Sequence, residues 1–163
     1  MKPLVMKAAT EFVGTFLFLF TIALVANGES PLVPLAIGGA LMVVVYAGGH
    51  RSGAHYNPAV SWALFLQKKI TSTELGTYAV AQVLAAILAF GTGTSIVNKA
   101  VKIAPGEGVS ALHAVIVEAV FTFLLTFVVL NGAATKKTEG NSFYGLAIGF
   151  TIVVAALAGG PVS

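Results

Sequence analysis

The 163-residue sequence predicts an all-α membrane protein: five transmembrane helices and one re-entrant half-helix, arranged as an inverted repeat. Three observations carry this. Hydrophobic residues make up 57% of the chain and charged residues 9%, whereas soluble domains carry about a quarter charged residues. The apolar runs are long enough to cross a hydrocarbon core of ~30 Å, and short polar turns separate them. Between two of these runs lies a polar, glycine-rich stretch, Gly48–Ser61, whose second half is a helix start.

Taken in order, Lys2 and Lys7 precede a first span at about Ala8 to Ala26, and Asn27-Gly28-Glu29-Ser30-Pro31 is a turn. A second span runs from about Leu32 to Ala47. In the stretch that follows, Asn57 is a preferred N-cap residue. Pro58 suits the first helical position, where no backbone donor is needed. Ala59 to Gln67 contains nothing that breaks a helix. At about 1.5 Å per residue this helix is roughly 15 Å long, half the hydrocarbon core. Lys68 and Lys69 then return the chain to water. The spacing therefore predicts a half-helix that enters from one face and points its asparagine-capped, positive end at the bilayer centre. Irregular backbone at that depth is tolerated only where protein or a water-filled cavity satisfies it, which makes Gly53–Tyr56 a candidate path lining.

Thr71-x-x-Glu74 has the spacing of a capping box and opens a third span to about Val97. Asn98 to Gly108 is a loop, and a fourth span runs from about Val109 to Leu130, with Asn131-Gly132 as its stop signal. Lys136 to Asn141 is a loop, and a fifth span covers about Ser142 to Ala158. The first run has no small-residue cleavage site after a short apolar core, so it reads as a retained span. With the N-terminus in the cytoplasm, Lys2, Lys7, Arg51, Lys68, Lys69, Lys136 and Lys137 fall inside, and only Lys99 and Lys102 fall outside. That is the positive-inside pattern.

The sequence repeats. Leu35-Ala36-Ile37-Gly38 recurs as Leu146-Ala147-Ile148-Gly149, an offset of 146 − 35 = 111. The same offset pairs Ala47-Gly48-Gly49 with Ala158-Gly159-Gly160 and Ser52 with Ser163. At 118 − 11 = 107, Glu11-x-Val13-x-Thr15-Phe16-Leu17 recurs as Glu118-x-Val120-x-Thr122-Phe123-Leu124. Spans one and two thus recur as spans four and five. An odd number of spans separates the copies, so they are inverted in the membrane, a transport architecture with midplane sites on broken helices. Residues 1–163 read as one channel domain, with 1–98 as the first repeat, its re-entrant loop at 48–67, and 109–163 as part of the second. The counterpart of Asn57 would be 57 + 111 = 168, past the last residue, so the sequence is expected to be incomplete, and the 163-residue chain alone is not expected to make a working channel.

Ser52-Gly-Ala-His-Tyr-Asn-Pro-Ala-Val60 resembles the first Asn-Pro-Ala signature of the aquaporin, or major intrinsic protein, family. A bare Asn-Pro-Ala is common; the nine-residue context between two apolar spans is specific. The resemblance implies an inverted-repeat helix bundle, with a sixth helix and a second half-helix that this sequence lacks, and a homotetramer with one pore per subunit. It implies a passive channel for water or small neutral solutes such as glycerol, urea or ammonia, excluding protons and ions, in the plasma (inner) membrane. Asn57, Pro58 and Ala59 match the motif, and Gly53, Ala54 and His55 match family positions whose carbonyls line the path. Glu11 and Glu118 match glutamates that brace the re-entrant loops, and Gln82 is a further polar brace. By family alignment the narrow filter takes Ile37 and Ala156, smaller and less polar than the Phe and His of strict water channels, which implies a wider constriction. The filter arginine would follow the second motif.

Other classes read less well. An inverted-repeat secondary transporter needs titratable coupling groups, and Glu11 and Glu118 are the only acids within the spans; a non-conducting structural member of the family is a third reading. No nucleophile–base or metal-ligand constellation argues for an enzyme or a cofactor, since His55 has only His50 and His113 for company. The net charge of +3 is scattered among apolar runs, unlike a nucleic-acid surface. Without cysteine there is no disulfide framework. His113 reads as interfacial, Gly145-x-x-x-Gly149 as a close-packing motif, and the phenylalanine-rich face of span one as lipid-facing.

Overall fold

The structure, a computed structural model, describes residues 2–101 and 104–163. It contains α1 (Lys2–Val25), α2 (Val33–Ser52), the short α3 (Pro58–Leu66), α4 (Ser72–Val97), α5 (Ala111–Gly132) and α6 (Tyr144–Ala158), with a 3₁₀ turn at Lys136–Thr138. Helices α1, α2, α4 and α5 are each long and apolar enough to span a bilayer, and α6 is a shorter apolar helix. Side chains such as Val43, Val80, Ile87, Leu112 and Phe123 face outward, as expected where lipid replaces water as the solvent. The protein is an integral membrane protein.

Helix boundaries follow local chemistry. Thr71 and Glu74 form the expected capping box, and Ser110 caps α5 through the His113 amide. Several boundaries differ from the sequence reading by a residue or more, and three are informative. Helix α1 begins at Lys2 rather than Ala8, because Lys7 Nζ lies 2.6 Å from Glu74 Oε1 and holds the cationic first turns against the start of α4. Helix α2 runs on past Ala47 to Ser52 and stops only at Gly53, whose φ of 91° an L-residue with a Cβ rarely adopts. Asn131-Gly132 closes α5 from within, and Ala133 is the cap.

The helices form an arc. Helix α1 packs on α4 and α2, α2 on α6, and α6 on α5, while α3 sits between α4 and α5. The centre of the arc is the α2–α6 crossing. A Cβ on Gly38 would lie 2.5 Å from the Gly149 carbonyl oxygen, and one on Gly149 would lie 2.6 Å from the Gly38 carbonyl oxygen. These glycines are repeat mates, 149 − 38 = 111. The near-equal mutual distances are those of a pseudo-two-fold axis passing through this contact, as an inverted repeat requires. Gly145 completes the seam against the Tyr46 ring. Lys69, Lys136 and Lys137 line one depression at the end of the bundle where α1 starts. Lys102 and the side chain of Lys2 lie outside the described residues.

Candidate functional site

The site begins where α2 ends. Gly53, Ala54 and Tyr56 all have positive φ, at 91°, 51° and 50°, so the chain between α2 and α3 makes no repeating hydrogen bonds. Its amides need other acceptors in a region without bulk water. One carboxylate serves two of them and holds their neighbours as well. Glu11, fully buried on α1, accepts from the Ser52 hydroxyl (2.6 Å) and the His55 amide (3.0 Å) at Oε1, and from the Tyr56 amide (2.7 Å) and Gln82 Nε2 (3.0 Å) at Oε2. Ser52 Oγ also accepts from the Ala54 amide, and Tyr78 Oη donates to the Ser52 carbonyl at 2.8 Å. Burying a charge is costly unless it is well hydrogen-bonded. Four donors, each worth about 1.5–3 kcal/mol to a charged group, make the position tenable. The irregular loop and the buried acid stabilise each other.

The carbonyl side of the same loop is unspent. No donor among the described residues reaches the carbonyl oxygens of Gly53, Ala54 or His55. Asn57 then starts α3: its Oδ1 accepts from the Ala59 amide at 2.8 Å, and its Nδ2 takes no part in the cap. Behind it, His55 Nδ1 lies 3.0 Å from Ser61 Oγ, which also accepts from Gln82 Nε2 at 3.1 Å. The His55 ring packs edge-on against Tyr78. Thr15 Oγ1 and Gln82 Oε1 are buried without a partner among the described residues.

Asn57, Ala54 and His55 open onto a chamber of about 30 Å³, the volume share of about one water molecule. Its other walls are apolar, among them Phe18, Leu41, Leu125, Val129 and Ile152. A larger cavity of about 510 Å³ lies on its far side, where Ile37 and Ala156 face the same space together with Glu118 and Ser163. Ile152 borders both volumes.

The structure therefore gathers Ala54, His55 and Asn57 at one chamber and Ile37 and Ala156 at the next. Gly53 and Pro58 are exposed and Ala59 half-buried, in the turn and first helical residues flanking Asn57. Gln82 joins Glu11 behind the loop. Glu118 is exposed and has no hydrogen-bond partner among the described residues. His113 is exposed. Sequence reasoning placed the phenylalanine face of α1 toward lipid. Phe16 and Phe20 stack on each other partly exposed, but Phe18 is buried in the chamber wall, because it lies two turns along α1 from Glu11 on the inward side. The chamber residues Leu41 and Ile152 were not singled out from sequence, yet the repeat relates them: 41 + 111 = 152.

Comparison with known proteins places this geometry. Residues 2–163 match the family model described as Major intrinsic protein. The chain is 37% identical over 171 residues to aquaporin NIP1-1 of Zea mays, covering 99% of this chain and 60% of that protein. It is 35% identical over 156 residues to glycerol uptake facilitator protein-like 6 of Lactiplantibacillus plantarum, covering 90% and 71%. In three dimensions it resembles the aquaglyceroporin of Plasmodium falciparum with a TM-score of 0.82 at 23% identity, over 98% of this chain and 74% of that one, a likeness of fold. The chain thus spans about 60% of the length of the maize relative. Aquaporins of this family are channels and not enzymes. A half-helix capped by Asn57 and held by Glu11, in a bundle with a glycine pseudo-axis and a family match over residues 2–163, makes this chain a member of the major intrinsic protein family.

Proposed function

We propose that the protein forms a passive channel for water or small neutral solutes of the size of glycerol, urea or ammonia. The observation that carries this is the juxtaposition at Asn57. A half-helix N-terminus, a side-chain amide with free donors and a run of unspent carbonyls meet at a chamber that holds about one water. A solute with an oxygen can exchange its water hydrogen bonds for Asn57 Nδ2 and the carbonyls of Ala54 and His55 while passing apolar walls. The positive end of α3 disfavours cations and protons at that point, as half-helix ends do in aquaporin-type pores. Ile37 and Ala156, both uncharged and neither aromatic, set the width of the outer cavity in this reading. Glu11 and Gln82 hold the loop, and Glu118 is the matching group of the second repeat.

The same reading puts the N-terminus and the Lys69–Lys136–Lys137 end in the cytoplasm of a plasma or inner membrane, following the distribution of cationic residues, with lipid around the bundle and four chains in a homotetramer. The test is an osmotic step on vesicles containing the folded protein as a chain of its relatives' full length, of which these residues span about 60% for the maize relative. Shrinkage should exceed that of protein-free vesicles, should be unchanged by a pH gradient, and should fall with Asn57→Asp. Equal rates with and without folded protein would sink the channel reading, and flux that follows the proton gradient would favour a coupled transporter.

A further inference from the structure

We infer that Tyr56 is the lateral wall of the solute path, a partition that separates the chamber from the outer flank of the bundle. Tyr56 is 4% exposed. It borders the chamber of about 30 Å³ and also a groove of about 410 Å³ between α1 and α2, and it is the one side chain common to both. The groove is mostly apolar, lined by Val13, Leu17, Val44 and Ala47 with Thr10 and Arg51 among its polar residues, and open to the outside of the bundle. No other described residue lines both volumes.

The fold is cut to take that ring. A Cβ at Gly14 on α1 would overlap the Tyr56 ring, and a Cβ at Gly48 on α2 would overlap its hydroxyl. A side chain at either position, on two different helices, would have to displace this ring. The ring passes through the slot they leave, and Oη donates to the Val44 carbonyl at 3.0 Å. The backbone at Tyr56 is left-handed, at φ 50°, an uncommon conformation for a bulky residue, and its amide is tied to Glu11. Residue 56 is thus held at both ends, and Asn57 follows it directly. The wall and the capping asparagine are set by the same few atoms. A small residue at position 56 would join the chamber to the groove sideways; the ring closes the path on this flank.

The partition can be tested without conduction, while its consequence for flux rests on the channel reading. The chain has no cysteine, so Val45→Cys, 2% exposed and in the chamber wall, gives a single thiol. In detergent, at concentrations where light scattering reports single chains, its reaction with benzyl methanethiosulfonate is timed in the Tyr56, Tyr56→Phe, Tyr56→Ala and Gly48→Ala backgrounds. The expected result is a rise of at least tenfold for Tyr56→Ala and for Gly48→Ala, which displaces the ring without shrinking it, and less than twofold for Tyr56→Phe. Unchanged rates in whichever of the Ala variants folds by circular dichroism, or a tenfold rise in Tyr56→Phe, would overturn the partition. In vesicles, Tyr56→Ala should raise glycerol passage relative to water several-fold. Labelling that behaves as expected in a parent without flux would remove the channel reading and leave the partition standing.

Discussion

Glu11 and Glu118 occupy the same place in two copies of one motif, yet live in different surroundings. Each is followed by Val at +2, Thr at +4, Phe at +5 and Leu at +6. Glu11 is sealed from solvent and accepts four hydrogen bonds. Glu118 stands exposed at a cavity of about 510 Å³ beside Gly160 and Ser163. The difference teaches that the motif supplies the acid and the neighbours supply its function. In the first repeat a loop of three left-handed residues brings amides to the carboxylate and α4 adds Gln82. Nothing described in the second repeat brings a donor to Glu118.

The contrast predicts unequal sensitivity. Glu11→Ala should be the most damaging single change: it orphans two amides, a hydroxyl and a carboxamide inside the bundle, at about 1–3 kcal/mol for each unsatisfied group. Thermal unfolding in mild detergent should show a loss of at least about 4 kcal/mol on that basis, or no folded protein at all. In the 163-residue chain Glu118→Ala removes no described contact and should cost far less than Glu11→Ala. Comparable losses at the two positions would break the comparison.

Where the repeats share one environment, the effects should converge. Gly38 and Gly149 face each other across the pseudo-axis, so Gly38→Val and Gly149→Val should each cost about 1–3 kcal/mol by overpacking, and should match within experimental error. A large asymmetry in the same unfolding assay would mean that the axis does not pass through their contact.

A smaller effect separates the two cavities. Ile37→Phe narrows the outer cavity at one wall and, in a chain of the relatives' full length, should lower passage of glycerol-sized solutes several-fold more than that of water, read as a ratio of vesicle rates. An unchanged ratio would show that the outer cavity does not select. The smallest effect belongs to the Lys7–Glu74 pair at the bundle end, where the lysine side chain is 38% exposed. Lys7→Ala should cost about 0.5 kcal/mol, and less in high salt, because exposed ion pairs are weak and screened.

Much of this was legible from residues alone, for reasons that are local. Asn57-Pro58 carries its own helix start, and Thr71-x-x-Glu74 its own cap, because cap chemistry needs only three or four neighbouring residues. The apolar spans are visible because a bilayer demands about 20 apolar residues of any helix that crosses it. The repeat survives as a fixed offset because equivalent helices meet equivalent surroundings at the crossing. The start of α1 and the end of α2 were less legible: the first depends on Glu74, 67 residues away, and the second on a glycine whose left-handed state sequence does not display.

What the sequence by itself determined is therefore the membrane class, the order of the apolar helices, the half-helix with Asn57 at its tip, and the pairing of residues 111 apart at the α2–α6 crossing. Only the tertiary structure decided which face of each helix matters. It put Phe18 inward, brought Leu41 and its mate Ile152 to one chamber, gave Glu11 its four donors, and lodged Tyr56 between Gly14 and Gly48. The physical reason is that apolar helices in a membrane are greasy on every side, so hydrophobicity cannot tell the lipid face from the path. That distinction comes from where small residues let backbones meet and where a buried acid finds its donors, and both are contacts between segments far apart in the chain.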